Sequence, residues 1–124
     1  MQITFLCKVV DNYGDIGVIW RICRGIQNYI SKTDSINLII DDLFSFKRIN
    51  SDVDVRKSYQ KILNVNIYNW NDFDFCYKEF SGINNTRLEV ILEMFQCGRP
   101  DWLEKILFDE ELNHIVQIIM VDYL

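Results

Sequence analysis

Two aspartates four residues apart, Asp11 and Asp15, lie in a turn-forming stretch that joins an apolar segment to an amphipathic one. Gly14 and Gly17 in the same stretch permit tight backbone turns. The stretch lacks G-x-G-x-x-G and G-K-[ST], the glycine-rich patterns that cradle phosphates, and its two carboxylates would repel a phosphate. The pattern therefore favours a cationic or hydroxyl-bearing substrate.

Both carboxylates also have a structural interpretation. Asp15 precedes a predicted helix and can be its N-cap, with the carboxylate accepting N–H bonds from the first turn. Asp11 can form an Asx-turn by bonding nearby backbone. Composition and spacing alone leave the functional and the structural interpretation open.

For the other polar and aromatic residues that are candidates for a functional site, a structural role is the favoured interpretation. Asp41 and Asp42 follow a predicted strand at the place where a dinucleotide fold binds ribose, but without the glycine fingerprint a surface loop is the favoured interpretation. The remaining candidates are expected in the core or a partner interface (Trp20 and Trp102), on the surface (His114) and in a structural turn (Cys97-Gly98).

Composition excludes several classes of protein. The 124 residues, 49% of them hydrophobic, are enough for one domain with a core. A net charge of −5 disfavours binding to nucleic acid or to anionic membranes. No apolar run approaches the ~20 residues of a membrane span, and no basic region precedes the first apolar residues as in a signal peptide. We therefore expect a cytoplasmic protein.

The cysteines give the same expectation. Four of them lie far apart in the sequence, with no C-x-x-C pair and with His114 as the sole histidine. Scattered cysteines without a secretion signal are expected to be free thiols in a reducing compartment. Because their spacing matches no zinc-ligand pattern, we expect no metal site.

The elements that must position Asp11 and Asp15 alternate between strands and helices. Apolar runs predict strands at 3–10, 35–40, 53–55, 65–68, 88–92 and 115–121. Apolar residues spaced three and four apart predict a helix over 16–30. Two shorter helices are also predicted: one ends at about Ile49, and the other has Pro100 in its first turn. The Asn-, Asp- and Gly-rich stretch 69–85 is expected to be the loosest part of the chain.

This alternation indicates an α/β fold with a Rossmann-like parallel sheet and helices on both faces. Ligands of such sheets bind beyond the carboxyl ends of the strands, which is where the stretch with Asp11 and Asp15 lies. The sequence stops directly after an apolar strand of the kind found inside a sheet. We therefore expect the N-terminal portion of a larger protein, with a complete small domain as the alternative.

The segment Val9–Val18 (VVDNYGDIGV), followed by Trp20-Arg21, resembles the N-terminal signature of the EarP family. Members of that family are protein-arginine rhamnosyltransferases that act on bacterial translation elongation factor P. Segments 38–43, 93–100 and 118–124 resemble further family motifs in the same order. Gln96 stands where the family has a small residue, and Gly98-Arg99 stands where it has Glu-Leu.

The resemblance implies that residues 1–124 form a single acceptor-side, N-terminal domain of a GT-B glycosyltransferase, without its C-terminal nucleotide-sugar domain. It implies transfer of rhamnose from dTDP-β-L-rhamnose to an arginine of elongation factor P, with inversion at the sugar carbon and without a cofactor. This portion alone is expected to be inactive. A non-catalytic protein-binding module is the alternative hypothesis.

By the same resemblance, Asp15 is the general base and Asp11 a companion that orients the acceptor or holds the loop. Substrate contacts are implied for Asn12, Tyr13, Gly14, Asp15 and Gly17. A guanidinium lacks a lone pair suited to attack, and a carboxylate paired with it can orient one nitrogen and take its proton. Because a helix N-terminus weakens a nearby carboxylate as a base, orientation and charge stabilisation are expected to matter more than proton abstraction.

Overall fold

The predicted alternation of strands and helices is confirmed in a computed structural model of the chain, which describes residues 1–9, 14–82, 88–109 and 116–122. The strands are β1 (Gln2–Cys7), β2 (Ser35–Ile40), β3 (Tyr59–Ile62), β4 (Val65–Asn69), β5 (Val90–Met94) and β6 (Gln117–Val121). The helices are α1 (Gly14–Ile26), α2 (Leu43–Ile49), α3 (Phe73–Phe80) and α4 (Asp101–Leu107).

The six strands form one sheet in the order β3-β4-β2-β1-β5-β6. All neighbouring pairs are parallel except β3 with β4, which are antiparallel. The chain builds outward from β1 to β2 and β4, then returns past β1 to β5 and β6. The order therefore reverses between β1 and β5, and a Rossmann-like sheet binds its ligands at such a reversal.

Two hydrophobic cores cover the opposite faces of the sheet. Phe5 and Cys7 of β1 pack on the side of α1 and α2, whereas Leu6 packs on the side of α3 and α4. Successive residues of a strand point to opposite faces, so a strand that is buried on both faces is predominantly apolar. This explains why β1 and β2 are mainly apolar, with Thr4 and Asn37 as buried polar exceptions, and it confirms the predicted α/β class.

The strand predicted at 53–55 is wrong. Val53 is buried, but the segment is held by the side chain of Gln60, which accepts from the Asp54 backbone N–H at 2.8 Å and donates to its carbonyl at 2.8 Å. The strand at this edge of the sheet is β3, which has only alternate residues buried. It turns into β4 through Leu63 and Asn64, both at positive φ, and hairpin prediction relies on glycine at such positions.

The expectation of a loose stretch over 69–85 is wrong for its described part, because α3 lies there. Asp72 caps this helix by accepting from the Phe75 backbone N–H at 3.4 Å. Cys76 and Phe80, four residues apart, are both buried. One buried pair at helical spacing is a weak periodic signal within an Asn- and Asp-rich sequence.

Several further boundaries differ from prediction, such as the end of the first strand, which is Cys7 and not Val10. The first helix, predicted over 16–30, ends at Ile26. Pro100 is the N-cap of α4 and not a residue of its first turn. The last strand, β6, lies at one edge of the sheet of this chain, and Met120 is 70% exposed.

Candidate functional site

Asp15 lies at the carboxyl edge of the sheet, as predicted. It is the second residue of α1, directly beyond β1, and only 7% of its surface is exposed. A carboxylate within the first turn interacts favourably with the positive end of the helix dipole. The N-cap interpretation places Asp15 just before the helix, whereas Asp15 is the second residue of α1, which begins at Gly14.

The five other predicted site residues are less fully defined. Asp11, Asn12 and Tyr13 lie outside the described residues. Gly14 is the first residue of α1. A Cβ added to Gly17 would meet no described heavy atom within 4 Å, so the backbone at this turn of α1 borders open space.

Asp41 connects three strand ends at the same edge. Its carboxylate accepts from the Val9 backbone N–H at 2.8 Å, and its own N–H donates to the Cys7 carbonyl at 3.2 Å. The Asn71 side chain donates to the Asp41 carbonyl at 2.7 Å. Asp41 therefore fixes the segment that leads from β1 into the acidic stretch, a role that the sequence analysis missed.

The neighbouring Asp42 serves α2. It caps this helix by accepting from the Ser45 backbone N–H at 3.1 Å and from the Ser45 hydroxyl at 2.7 Å. With Asp41 bonded to Val9 and Asp42 to Ser45, both carboxylates hold the backbone. This arrangement favours the structural interpretation of the pair over a ribose site.

The ends of β1 and β2 bring negative charge close to buried thiols. Burial is the main cause that raises the pKa of Cys7, and the charges on Asp41 and Asp15 raise it further. Both carboxylates therefore lie within electrostatic reach of the end of β1. A site with this charge attracts a cation and repels a phosphate.

We expect Asp41→Asn to change how stability depends on pH. Burial, followed by the charge on Asp42, raises the pKa of Asp41 above 3.8, although the Val9 N–H opposes the shift. The stability that protonated Asp41 contributes is therefore present below pH 3.8 and lost as the pH rises through the folded-state pKa. Asparagine keeps an oxygen for Val9 and carries no charge.

Urea unfolding should show that Asp41→Asn raises the free energy of unfolding more at neutral pH than below pH 3.8. Asp74→Asn, which removes an exposed carboxylate from the first turn of α3, is the matched control. An equal effect of Asp41→Asn at both pH values would contradict the assignment.

The turn after β5 contacts the end of β1 through Cys97, across the reversal in strand order. The φ angles are 55° at Phe95, 57° at Gln96 and 76° at Gly98. Phenylalanine and glutamine rarely adopt this left-handed backbone conformation. Gln96 thus takes a conformation that favours the small residue of the family motif. Its side chain donates to Asp122 at 2.7 Å, which links this turn to the end of β6.

Cys97 is part of this turn and is not poised as a nucleophile. Its thiol lies 3.5 Å from the Leu6 carbonyl oxygen and 3.2 Å from that of Gly98. Burial, together with the charge on Glu93, raises the pKa of Cys97 to about 11. The thiol is therefore protonated at neutral pH, which favours the structural interpretation of the turn.

Arg99 makes a second set of contacts that the sequence analysis missed. Its Nε lies 3.2 Å from Glu93 at the end of β5 and 3.8 Å from Glu104 in α4. Glu93 is buried, and a buried carboxylate needs such a partner. The guanidinium of Arg99 is thus engaged with Glu93 within this turn.

No group of three or more His, Cys, Asp or Glu side chains is arranged to hold a metal ion within the described ranges. No helix in the same ranges is long and apolar enough to cross a membrane. All four cysteines are free thiols, as predicted.

The sequence is similar to protein-arginine rhamnosyltransferases. The family model described as "Elongation-Factor P (EF-P) rhamnosyltransferase EarP" matches residues 3–124. The protein-arginine rhamnosyltransferases of Shewanella oneidensis, Pseudomonas aeruginosa and Neisseria meningitidis are 35%, 30% and 28% identical over 95, 95 and 97 residues. Each match covers 77% of this chain but only 22%, 23% and 22% of the relative, so the chain spans about a fifth of their length.

Proposed function

The chain belongs to the EarP family of elongation-factor P rhamnosyltransferases, and from this premise we propose that it is the acceptor-side domain of a GT-B arginine rhamnosyltransferase. The donor is dTDP-β-L-rhamnose, the acceptor is an arginine of elongation factor P, and no cofactor takes part. The buried carboxylate of Asp15 at the carboxyl edge of the sheet carries the proposal. It lies where a sheet of this order binds ligands, within the most specific segment of the sequence.

The acceptor guanidinium determines what Asp15 has to do. The cation is delocalised and its nitrogens donate hydrogen bonds without accepting them. A carboxylate paired with it aims one nitrogen at the anomeric carbon and offsets its charge. As the new C–N bond forms and the C–O bond to the nucleotide breaks with inversion, the carboxylate takes the nitrogen's proton and the nucleoside diphosphate leaves.

Several features support Asp15 in this role over a free carboxylate in a loop. Its helical position fixes the direction of the side chain, and its burial restricts access of water. Asp41 holds Val9 at 2.8 Å, which sets the path of the chain into Asp11, the proposed companion acid. Asn12, Tyr13, Gly14 and Gly17 are the proposed substrate contacts.

The nucleotide of the donor is proposed to bind outside residues 1–124. The acidic carboxyl edge disfavours a diphosphate, and the matched relatives are several times longer than this chain. The chain alone is therefore expected to bind the acceptor and to transfer no sugar. The enzyme is proposed to act in the cytoplasm, where its free thiols stay reduced.

The acceptor site can be mapped on this chain by NMR. Adding elongation factor P to the isotope-labelled chain should shift backbone amide signals at the carboxyl edge (Val9, Asp15 and Asp41) and leave those at the amino edge (Ser35 and Leu63) in place. Replacing the target arginine of the factor by alanine should abolish these shifts. Shifts confined to the amino edge would contradict the proposal, and binding unchanged by Asp15→Ala would identify a non-catalytic docking module.

A further inference from the structure

An open cavity lies at the amino edge of the sheet, at the opposite end of the strands from Asp15. It is bordered by Ser35 and Ile36, the first residues of β2, and by the turn between β3 and β4. The end of α1 and the segment that leads from this helix into β2 also line it. Its volume is about 530 Å³, within the ~300–1,000 Å³ range of small-molecule sites.

Three cationic side chains line this cavity, and they come from three parts of the chain. Arg24 lies in the last turn of α1, Lys32 follows that helix, and Lys61 belongs to β3. All three residues are exposed, so their side chains are accessible to a molecule in the cavity. In a chain with a net charge of −5, this group of cations creates a local positive potential that attracts anions.

The carboxylate of Asp34 also lines the cavity, but it is already engaged. It forms an ion pair with the α-ammonium group of Met1 and accepts from the Ser31 backbone N–H at 3.0 Å. The hydrogen bond from the Met1 amino group is the main cause that lowers the pKa of Asp34. Because Met1 offsets the charge of Asp34, the cavity keeps the positive charge of the three basic side chains.

The walls that carry these cations are joined by hydrogen bonds. The Gln27 side chain donates to the Leu63 carbonyl at 2.6 Å, which connects the end of α1 to the turn between β3 and β4. The hydroxyl groups of Ser31 and Thr33 share a hydrogen bond of 2.8 Å on either side of Lys32. The backbone around the cavity is therefore defined before a ligand binds, which reduces the entropy lost on binding.

Helix electrostatics explain only one of the three cations. A basic residue in the last turn of a helix interacts favourably with the negative end of the helix dipole, and Arg24 has that position in α1. The same explanation does not apply to Lys32, which lies in a loop, or to Lys61, which lies in a strand. Their place beside one cavity together with Arg24 indicates an anionic ligand.

We propose that this cavity binds a small phosphate monoester, with its phosphate among Arg24, Lys32 and Lys61. A monoester dianion has three terminal oxygens, so a guanidinium can pair with two of them while each ammonium group binds as a point charge. A carboxylate has only two oxygens for the three cations. Ile30 and Leu63 also line the cavity and provide apolar surface for the organic part of the ligand.

This site is separate from the proposed transfer reaction. The strand β2 has six residues, from Ser35 at the cavity to Ile40 at the carboxyl edge. At ~3.3 Å per residue the two edges of the sheet lie about 17 Å apart. A small monoester at the amino edge therefore does not reach Asp15.

NMR titration of the isotope-labelled chain at constant ionic strength tests the proposal with glycerol 3-phosphate, adenosine 5′-monophosphate and inorganic phosphate. At least one of the two monoesters should give saturable shifts of the Lys32 and Asn64 backbone amide signals, with a Kd in the millimolar range or lower. Arg24→Gln and Lys61→Gln should each raise that Kd at least threefold. Lys47→Gln, which removes an exposed cation from the last turn of α2, should leave it unchanged.

Succinate and tetraglutamate serve as carboxylate probes, one a small dianion and the other an acidic peptide. The absence of saturable shifts with both monoesters would overturn the proposal, and so would tighter binding of either carboxylate probe at the same signals. Tighter binding of inorganic phosphate than of both monoesters would assign the cavity to the free ion and overturn the assignment to a monoester. Because the unmodified chain gives these readouts, the test does not depend on the folding of a variant. A negative result leaves the acceptor mapping with elongation factor P at the carboxyl edge unaffected.

Discussion

A hybrid enzyme carrying Asp15→Asn is expected to transfer rhamnose roughly 10²- to 10⁴-fold more slowly than the hybrid with Asp15, the range associated with loss of a general acid–base group. The hybrid is the Shewanella oneidensis relative with this chain in place of the matched segment. Asparagine has nearly the same size as aspartate, but it neither takes a proton nor offsets the charge of a guanidinium. Asp15→Ala should reduce the rate at least as much.

The matched control for this prediction is Asp74→Asn. It removes the same charge from the first turn of another helix, where the side chain is exposed, and it should leave the transfer rate within a factor of two of the unmodified hybrid. Circular dichroism establishes that each hybrid is folded. A folded Asp15→Asn hybrid with a rate close to that of the control would remove Asp15 from the mechanism.

Trp102→Ala is expected to lower the free energy of unfolding by about 3–5 kcal/mol, the usual cost of truncating a buried aromatic residue. Trp102 is 1% exposed, and its ring stacks on Phe80 with centroids 5.5 Å apart. Its indole N–H donates to the Trp70 carbonyl at 2.9 Å. The residue therefore joins α4 to α3 and to the end of β4. The loss is a large fraction of the ~5–15 kcal/mol that stabilises a typical domain.

Trp102→Phe separates packing from hydrogen bonding. Phenylalanine retains a ring against Phe80 but leaves the Trp70 carbonyl without the indole N–H, which should cost about 1–3 kcal/mol. Urea unfolding gives the free energy of unfolding of both variants, which can be compared when their m-values are equal. A loss below about 1 kcal/mol for Trp102→Ala, within the range of an ordinary surface substitution, would show that α4 does not depend on this packing.

The sequence predicts the parts of this fold that are buried on both faces. The strand over Ser35–Ile40 is confirmed at both ends, because its sequence is an apolar run interrupted only by Asn37 after the first residue, and polar residues follow it. The edge strand β3 escapes prediction because only alternate residues are buried, and its turn uses Leu63 and Asn64 in place of glycine. Helix α3 escapes because its capping residue lies in a stretch of similar polar residues.

The candidate site is predictable only where a local motif carries it. The position of Asp15 beyond the first strand follows from the order of the elements, and the structure places it there. The bond from Val9 to Asp41 joins residues 32 apart in sequence, and only the parallel pairing of β1 with β2 brings them together. The contact of Arg99 with Glu93 depends on a turn whose left-handed residues are Phe95 and Gln96, and neither residue type signals that conformation.

The decisive measurement is the mass of elongation factor P after incubation with dTDP-β-L-rhamnose and the unmodified hybrid. The factor should gain one deoxyhexosyl group on a single arginine with the hybrid, and none with residues 1–124 alone. A folded hybrid that adds no sugar would contradict the claim that this chain supplies the acceptor side of the enzyme. Transfer by residues 1–124 alone would contradict the claim that the donor binds elsewhere.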